Sequence, residues 1–179
     1  RMRIVNKSNL PEVIFKYLAN DTYDYTDSIS ATTLIKPVRE IILTKAHWDE
    51  ITLDAADRLW TLFGTGIHKA LEGGELGTAQ EERITVTLNN RKVSGKFDLI
   101  YDGKLTDFKV TSAYTIMYKS RIEEWTLQLS IYRYLYHKKH EKELPPLAHI
   151  VAILRDWNNR GFEEHPDKYP KSPAVMLDI

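Results

Sequence analysis

Two aspartates and a lysine flank an Asp102-Gly103 pair in the middle of the chain: Asp98 on one side, Asp107 and Lys109 on the other. An Asp-Gly pair between two runs of alternating apolar residues is the strongest short-range signal for a β-hairpin. With Asp102-Gly103 as the loop, Tyr101 pairs with Lys104, and counting back sets Asp98 opposite Asp107. Directly opposed side chains lie about 4.5–5.5 Å apart at Cβ, and like charges there are destabilising. Lys109 is two residues beyond Asp107, so it shares that face. Phe97 and Leu99 on one strand, and Phe108 and Val110 on the other, anchor the hairpin in a core. Two facing carboxylates beside one amine suit a hard divalent cation, because Mg²⁺ is held by one or two carboxylates plus waters and phosphate oxygens. Such a cation acidifies water and stabilises charge on a phosphate. Lys109 is placed to orient that water or to neutralise developing charge. The competing reading of the same three residues is a surface charge ladder.

The elements that must position these residues are legible as changes of period. Leu10 to Ala19 reads as a short helix with Pro11 in its first turn. Ser30-Ala31-Thr32-Thr33-Leu34 opens another, ended or interrupted by Pro37. The clearest helix runs from about Leu53 to Glu72, where Leu59, Leu62, Phe63, Gly66, Ile67, Ala70 and Leu71 form a 3.6-residue stripe stopped by Gly73-Gly74. A neighbouring stripe of Gly64, Thr65, His68 and Glu72 is small or polar. The period then becomes two: Ile84 to Leu88, Val93 to Tyr101 and Lys104 to Thr111 read as strands, with turns at Asn89-Asn90 and Asp102-Gly103. A second long helix covers about Ile122 to His137. Strands follow at Ala148 to Leu154 and Ala174 to Ile179. This order predicts an α/β or α+β fold with a mixed central β-sheet flanked by helices. One domain is expected over residues 1–179, with a helical part over roughly 1–75 and a sheet-and-helix core over 80–179.

Composition narrows the chemistry. The 179 residues carry 25 Lys plus Arg and 25 Asp plus Glu, so bulk charge announces no nucleic-acid partner and local clustering would be needed. There is no cysteine, which excludes disulfides, thiolate zinc sites, cysteine-ligated iron–sulfur clusters and cysteine nucleophiles. Apolar residues at 42% and charged residues at 28% describe a folding chain rather than a disordered one. No apolar run approaches the ~18 residues of a membrane span, and an intracellular domain without a membrane partner is expected. Gly64-Thr65-Gly66-Ile67-His68-Lys69 lacks the spacing of an ATP-binding loop and lies inside a helical stripe. His137 and His140, three apart among lysines at a helix C-terminus, suit the helix dipole without a metal.

Gly95-Lys96-Phe97-Asp98 followed by Asp107-Phe108-Lys109 resembles the D…(D/E)xK core of the PD-(D/E)xK nuclease superfamily, and more specifically its RecB-like exonuclease branch. That branch carries a histidine on an earlier helix, matched by His68 in Gly64-Thr65-Gly66-Ile67-His68. It also carries a Q-x-x-x-Y pair on the following helix, matched by Gln128-Leu129-Ser130-Ile131-Tyr132. Leu154-Arg155-Asp156-Trp157 is similar to a stretch of phage-encoded members. The likeness spans about His68 to Trp157, roughly half of the chain.

The resemblance implies roles. Asp98 and Asp107 would be metal ligands and Lys109 the catalytic lysine, with His68 a further ligand. Gln128 and Tyr132, at i and i+4 on one helix face, would lie near the active site, touching Lys109 or DNA. A glutamate before the first strand is matched by Glu81 or Glu82; Glu81 is preferred, because Glu82 is in phase with Ile84 and Val86. The cofactor implied is Mg²⁺ or Mn²⁺, and the activity is hydrolysis of DNA phosphodiester bonds, with exonuclease action on DNA ends. The alternatives are a non-catalytic DNA-binding module with the same fold and an endonuclease with the same core. A bacterial or phage-encoded, cytoplasmic protein, with a recombination or replication protein as partner, would follow. Trp48, Tyr114, Tyr118 and Trp125 are aromatic candidates for base stacking, and Lys36, Arg39, Lys45, Lys69, Lys119, Arg121, Arg133, Lys138 and Lys139 are cationic candidates for phosphate contact.

Overall fold

A computed structural model of the chain describes residues 2–20, 27–72, 74 and 79–179, with backbone alone at 72 and 79–81. In chain order the elements are β1 Arg3–Val5, α1 Glu12–Ala19, β2 Ile29–Ser30, α2 Ala31–Leu34, α3 Val38–Ala46, β3 Thr52–Asp54, α4 Ala55–Glu72 and β4 Ala79–Leu88. They continue with β5 Arg91–Tyr101, β6 Lys104–Thr111, α5 Ala113–Met117, α6 Ile122–His140, β7 His149–Leu154, α7 Asn159–Glu164 and β8 Ala174–Asp178. The chain divides into two compact units, one of Arg1–Asp27 with Lys36–Ile67 and one of Ser28–Ile35 with His68–Ile179.

In the first unit β1 and β3 pair in parallel, with Ile4 opposite Leu53. Asn6 closes the turn after β1 by accepting from the Leu10 N–H and donating to the Leu10 carbonyl. The Ser8 hydroxyl donates to Asp54 at 2.6 Å and holds that carboxyl below its ordinary range. Pro11 and Pro37 stand immediately before α1 and α3, where a missing N–H leaves no intrahelical bond unmade. Pro37 therefore ends one helix and begins the next.

The second unit holds a six-stranded mixed sheet in the order β2-β5-β6-β7-β8, with β4 also paired to β5. Both hairpin turns have the chemistry of primed turns: Asn89 and Asn90 at φ 46° and 61°, Asp102 and Gly103 at φ 50° and 72°. β4 runs antiparallel along β5 from Ala79 opposite Ile100 to Leu88 opposite Arg91. The other edge of β5 is divided. Ile29 and Ser30 of β2 pair in parallel with Val93 and Ser94, while β6 pairs only with Leu99, Ile100 and Tyr101. The Tyr101–Lys104 register is the expected one, but the ladder ends at Leu99–Thr106, so Asp98 and Asp107 are not a laddered pair.

β6 runs parallel to β7, with Asp107 opposite Ile150 and Lys109 opposite Ala152. The crossover between them carries α5 and α6, as parallel pairing requires. α6 is charged in the sense its dipole favours, with Glu123 and Glu124 in the first turn and His137 to His140 in the last. Its Trp125, Leu129, Tyr132 and Leu135 form one buried cluster with Phe97, Ile100, Leu105, Ile150, Ala152 and Leu154. The architecture is thus the expected mixed sheet flanked by helices. Phe97 and Leu99 are core residues, whereas Phe108 and Val110 are half-buried. The apolar stripe of α4 is nowhere fully buried, and Phe63, Gly66 and Ala70 are exposed. Gly73 lies outside the described residues, as does most of the polar stretch 21–30.

Candidate active site

Asp98 sits where β5 has no strand on its second edge, between Ser94 and Leu99. Its carboxylate supplies what the ladder does not: Oδ2 accepts from the Phe108 N–H at 2.7 Å. Oδ1 lies 3.0 Å from Nδ1 of His68, the first α4 residue belonging to the second unit. The His68 ring also meets Phe108 edge-on, with centroids 6.3 Å apart. The hydrogen bond to Asp98 raises the His68 pKa, against the opposing effect of burial.

Asp107 is 3% exposed. Burial pushes its carboxyl pKa up, Lys109 opposes that, and the nearby Asp98 charge adds to the rise. Lys109 Nζ lies 2.7 Å from Asp107 Oδ2. The ammonium is the neighbour that offsets the burial of this oxygen. Lys109 Nζ also donates to Gln128 Oε1 at 2.9 Å, and Gln128 Nε2 donates to the Tyr132 hydroxyl at 2.6 Å. That second bond orients the amide so that its oxygen faces the lysine. Burial, followed by the charge of Asp107, pushes the Tyr132 phenol well above its ordinary pKa.

Two contact groups therefore lie side by side on adjoining residues of β6: His68 and Asp98 with the Phe108 N–H, and Asp107 and Lys109 with Gln128 and Tyr132 of α6. Glu81 is the exception: its side chain lies outside the described residues, between Gln80 opposite Leu99 and Glu82 opposite Phe97 on the ladder. Glu82 is committed elsewhere, to Lys139 at 2.7 Å and His140 at 2.8 Å on α6. That agrees with its phase along β4. His140 is occupied by the same carboxylate.

The donor set fits a hard cation with few protein ligands. Asp107 Oδ2 is a buried carboxylate oxygen paired with the Lys109 ammonium, and the Asp98 charge is near enough to raise the Asp107 pKa. Among the described residues no three or more His, Asp or Glu side chains converge in metal-holding geometry. Mg²⁺, which keeps several waters, needs only one or two carboxylates.

Two residues have roles that their sequence positions did not announce, and Arg121, expected to contact phosphate, is engaged by Glu124. Gly95 lets the Tyr132 ring lie against the strand: a Cβ there would fall 2.6 Å from Tyr132 Cδ1. Asp156 accepts from the Ala113 N–H at 2.7 Å and so holds the start of α5. Arg121 clamps Glu124 through two bonds of 2.8 and 2.6 Å, and Glu124 in turn feels the charge of Lys109. Gly95 and Asp156 both stood inside quoted motifs, but only the packing shows what they touch.

No family model and no curated protein matches the chain. Among solved structures it is similar to the crystal structure of SSO0001, with a TM-score of 0.52 and 13% sequence identity over 94% of this chain and 73% of that one. At that identity the likeness concerns the fold. No helix among the described residues is long and apolar enough to cross a membrane.

Proposed function

We propose that the chain is a Mg²⁺- or Mn²⁺-dependent deoxyribonuclease that hydrolyses phosphodiester bonds at DNA ends. The observation that carries this reading is the joining of buried Asp107 and Lys109 to Gln128 and Tyr132 by direct contacts, with Asp98 bonded to the N–H of Phe108 between them. A surface charge ladder would not bury Asp107 or fix its lysine through a helix. Asp98 and Asp107 would hold the cation. When bound, the cation lowers the pKa of a coordinated water and offsets charge on the phosphate. Lys109 keeps its ammonium beside the scissile phosphate, where a cation stabilises charge that grows in the transition state. Gln128 and Tyr132 restrict the lysine to that position. Hydrolysis then joins a water oxygen to phosphorus, breaks one P–O ester bond and returns a proton to the departing alkoxide. Exonuclease action, the intracellular setting and a recombination or replication partner rest on the RecB-like resemblance.

The test is degradation of end-labelled linear DNA and closed circular DNA with Mg²⁺, with Mn²⁺ and with a chelator. Metal-dependent loss of the linear substrate alone supports an exonuclease, and nicking of the circle makes it an endonuclease. Metal-independent binding with no cleavage of either leaves a DNA-binding module.

A further inference from the structure

Two large aromatic rings stand in solvent on and just after α5, the helix that follows the strand bearing Asp107 and Lys109. Tyr114 is 61% exposed and Tyr118 58%. Their rings are stacked on one another, with centroids 4.4 Å apart and planes tilted by 35°. The segment beneath them is anchored. Ala113 and Thr115 are buried, the Ser112 hydroxyl accepts from the Thr115 N–H, and Asp156 accepts from the Ala113 N–H. The Arg155 N–H donates to the Thr111 carbonyl, tying the same turn to the end of β7.

The segment begins close to Lys109 in the chain. Tyr114 follows Lys109 by five residues, so its Cα lies within about 18 Å of the lysine Cα at ~3.6 Å per residue. Three residues after Tyr118, Arg121 pairs with Glu124, which feels the Lys109 charge. Lys119 is exposed and has no ion pair among the described residues. Two exposed aromatic faces beside a cation are the parts from which single-stranded nucleic acid sites are built: bases stack, and the backbone follows positive charge. Duplex DNA hides its base faces in its own stack except at its two terminal pairs, whereas every base of an unpaired strand can stack on such rings.

We propose that Tyr114 and Tyr118 form a stacking platform for unpaired bases, and that the substrate strand reaches Lys109 single-stranded. At most about five stacked nucleotides, at ~3.4 Å each, fit between the Tyr114 and Lys109 backbones. Asp156 is a positioning residue for the platform. The platform extends the nuclease reading by naming its substrate, but binding can be measured without cleavage.

The experiment measures affinity for a fluorescent oligo-dT and for a blunt duplex of equal length in the presence of a chelator. It compares the wild type with Y114L/Y118L, which keeps apolar volume, and Y114F/Y118F, which keeps the rings. Thermal melting checks that each variant is folded, and only the leucine pair should lose affinity for the oligo-dT. The expected loss is about five- to a hundredfold, with duplex binding unchanged. Equal oligo-dT affinity in the leucine pair and the wild type overturns the platform, as does a wild type that prefers the duplex. A wild type that needs the rings to bind oligo-dT but cleaves nothing with Mg²⁺ or Mn²⁺ overturns the nuclease reading and keeps the platform.

Discussion

Gly95 of β5 and Tyr132 of α6 are in contact because one of them has no side chain. A Cβ at residue 95 would stand 2.6 and 2.7 Å from two ring carbons of Tyr132 and 3.1 Å from a Leu135 methyl. The phenol whose hydroxyl accepts from Gln128 is thus seated on bare strand backbone. From Gln128 the chain of contacts runs to Lys109 and Asp107.

Gly95→Ala should therefore act at a distance. The methyl must displace the Tyr132 ring, which loosens Gln128 and frees Lys109. We expect a stability loss of about 1–3 kcal/mol, the range for overpacking a core, together with a fall in turnover. Urea unfolding and single-turnover cleavage read the two effects. Full turnover in the folded variant would show that Tyr132 does not position the lysine.

Asp107→Asn should abolish metal-dependent cleavage while the fold persists. The buried carboxyl has a raised pKa, so the folded state favours its protonated form. Its contribution to stability is fully present below the unfolded value of 3.8 and is lost as pH rises through the folded value. The stability of the wild type relative to Asp107→Asn should therefore fall as pH rises above about 3.8. Denaturant unfolding of both proteins across this range measures it, and a gap independent of pH would refute the assignment.

Lys109→Met keeps the stem of the side chain and removes the ammonium. A group that acts on charge appearing in the transition state should lower kcat with little change in KM. We expect a loss of about 10²–10³-fold in kcat, typical of removing one such donor. A rise in KM at constant kcat would make Lys109 a phosphate-binding residue instead.

His68→Ala should weaken Mn²⁺ more than Mg²⁺, because an imidazole nitrogen suits the softer ion. The ring stands 3.0 Å from Asp98, one of the two carboxylates that would hold the cation. Calorimetric titration with each metal reads the difference. Equal losses for both ions, with a lower Tm in the absence of metal, would make His68 a structural histidine.

Local chemistry made much of the fold readable from the sequence. Asp102-Gly103 and Asn89-Asn90 sit at positive φ, as their side chains permit, and so fix two hairpins and the Tyr101–Lys104 register. Ser30 and Pro37 mark helix boundaries through a hydroxyl acceptor and a missing donor. The i, i+4 spacing of Gln128 and Tyr132 sets them one turn apart, and the structure joins them by a hydrogen bond. Period alone did not find β1, β2, β3, α3, α5 or α7; all but α3 span six residues or fewer.

What the sequence by itself determined is the inventory: two carboxylates and an amine around a tight hairpin, with a long helix to follow. Tertiary structure decided how they meet. The hairpin ladder, extended by counting, sets Asp98 against Asp107. The ladder instead stops at Leu99–Thr106, and the second edge of β5 is taken up again only at Val93 and Ser94, by β2, a strand some sixty residues earlier in the chain. Asp98 is thereby free to bind the Phe108 N–H and His68. The burial of Asp107, the bond from Lys109 to Gln128 and the exposure of the tyrosine pair likewise depend on where α6 and β7 pack. Turn and helix signals act between near neighbours, whereas the division of a strand edge and the depth of a charge come from segments far apart in the chain. No spacing between neighbouring residues encodes them.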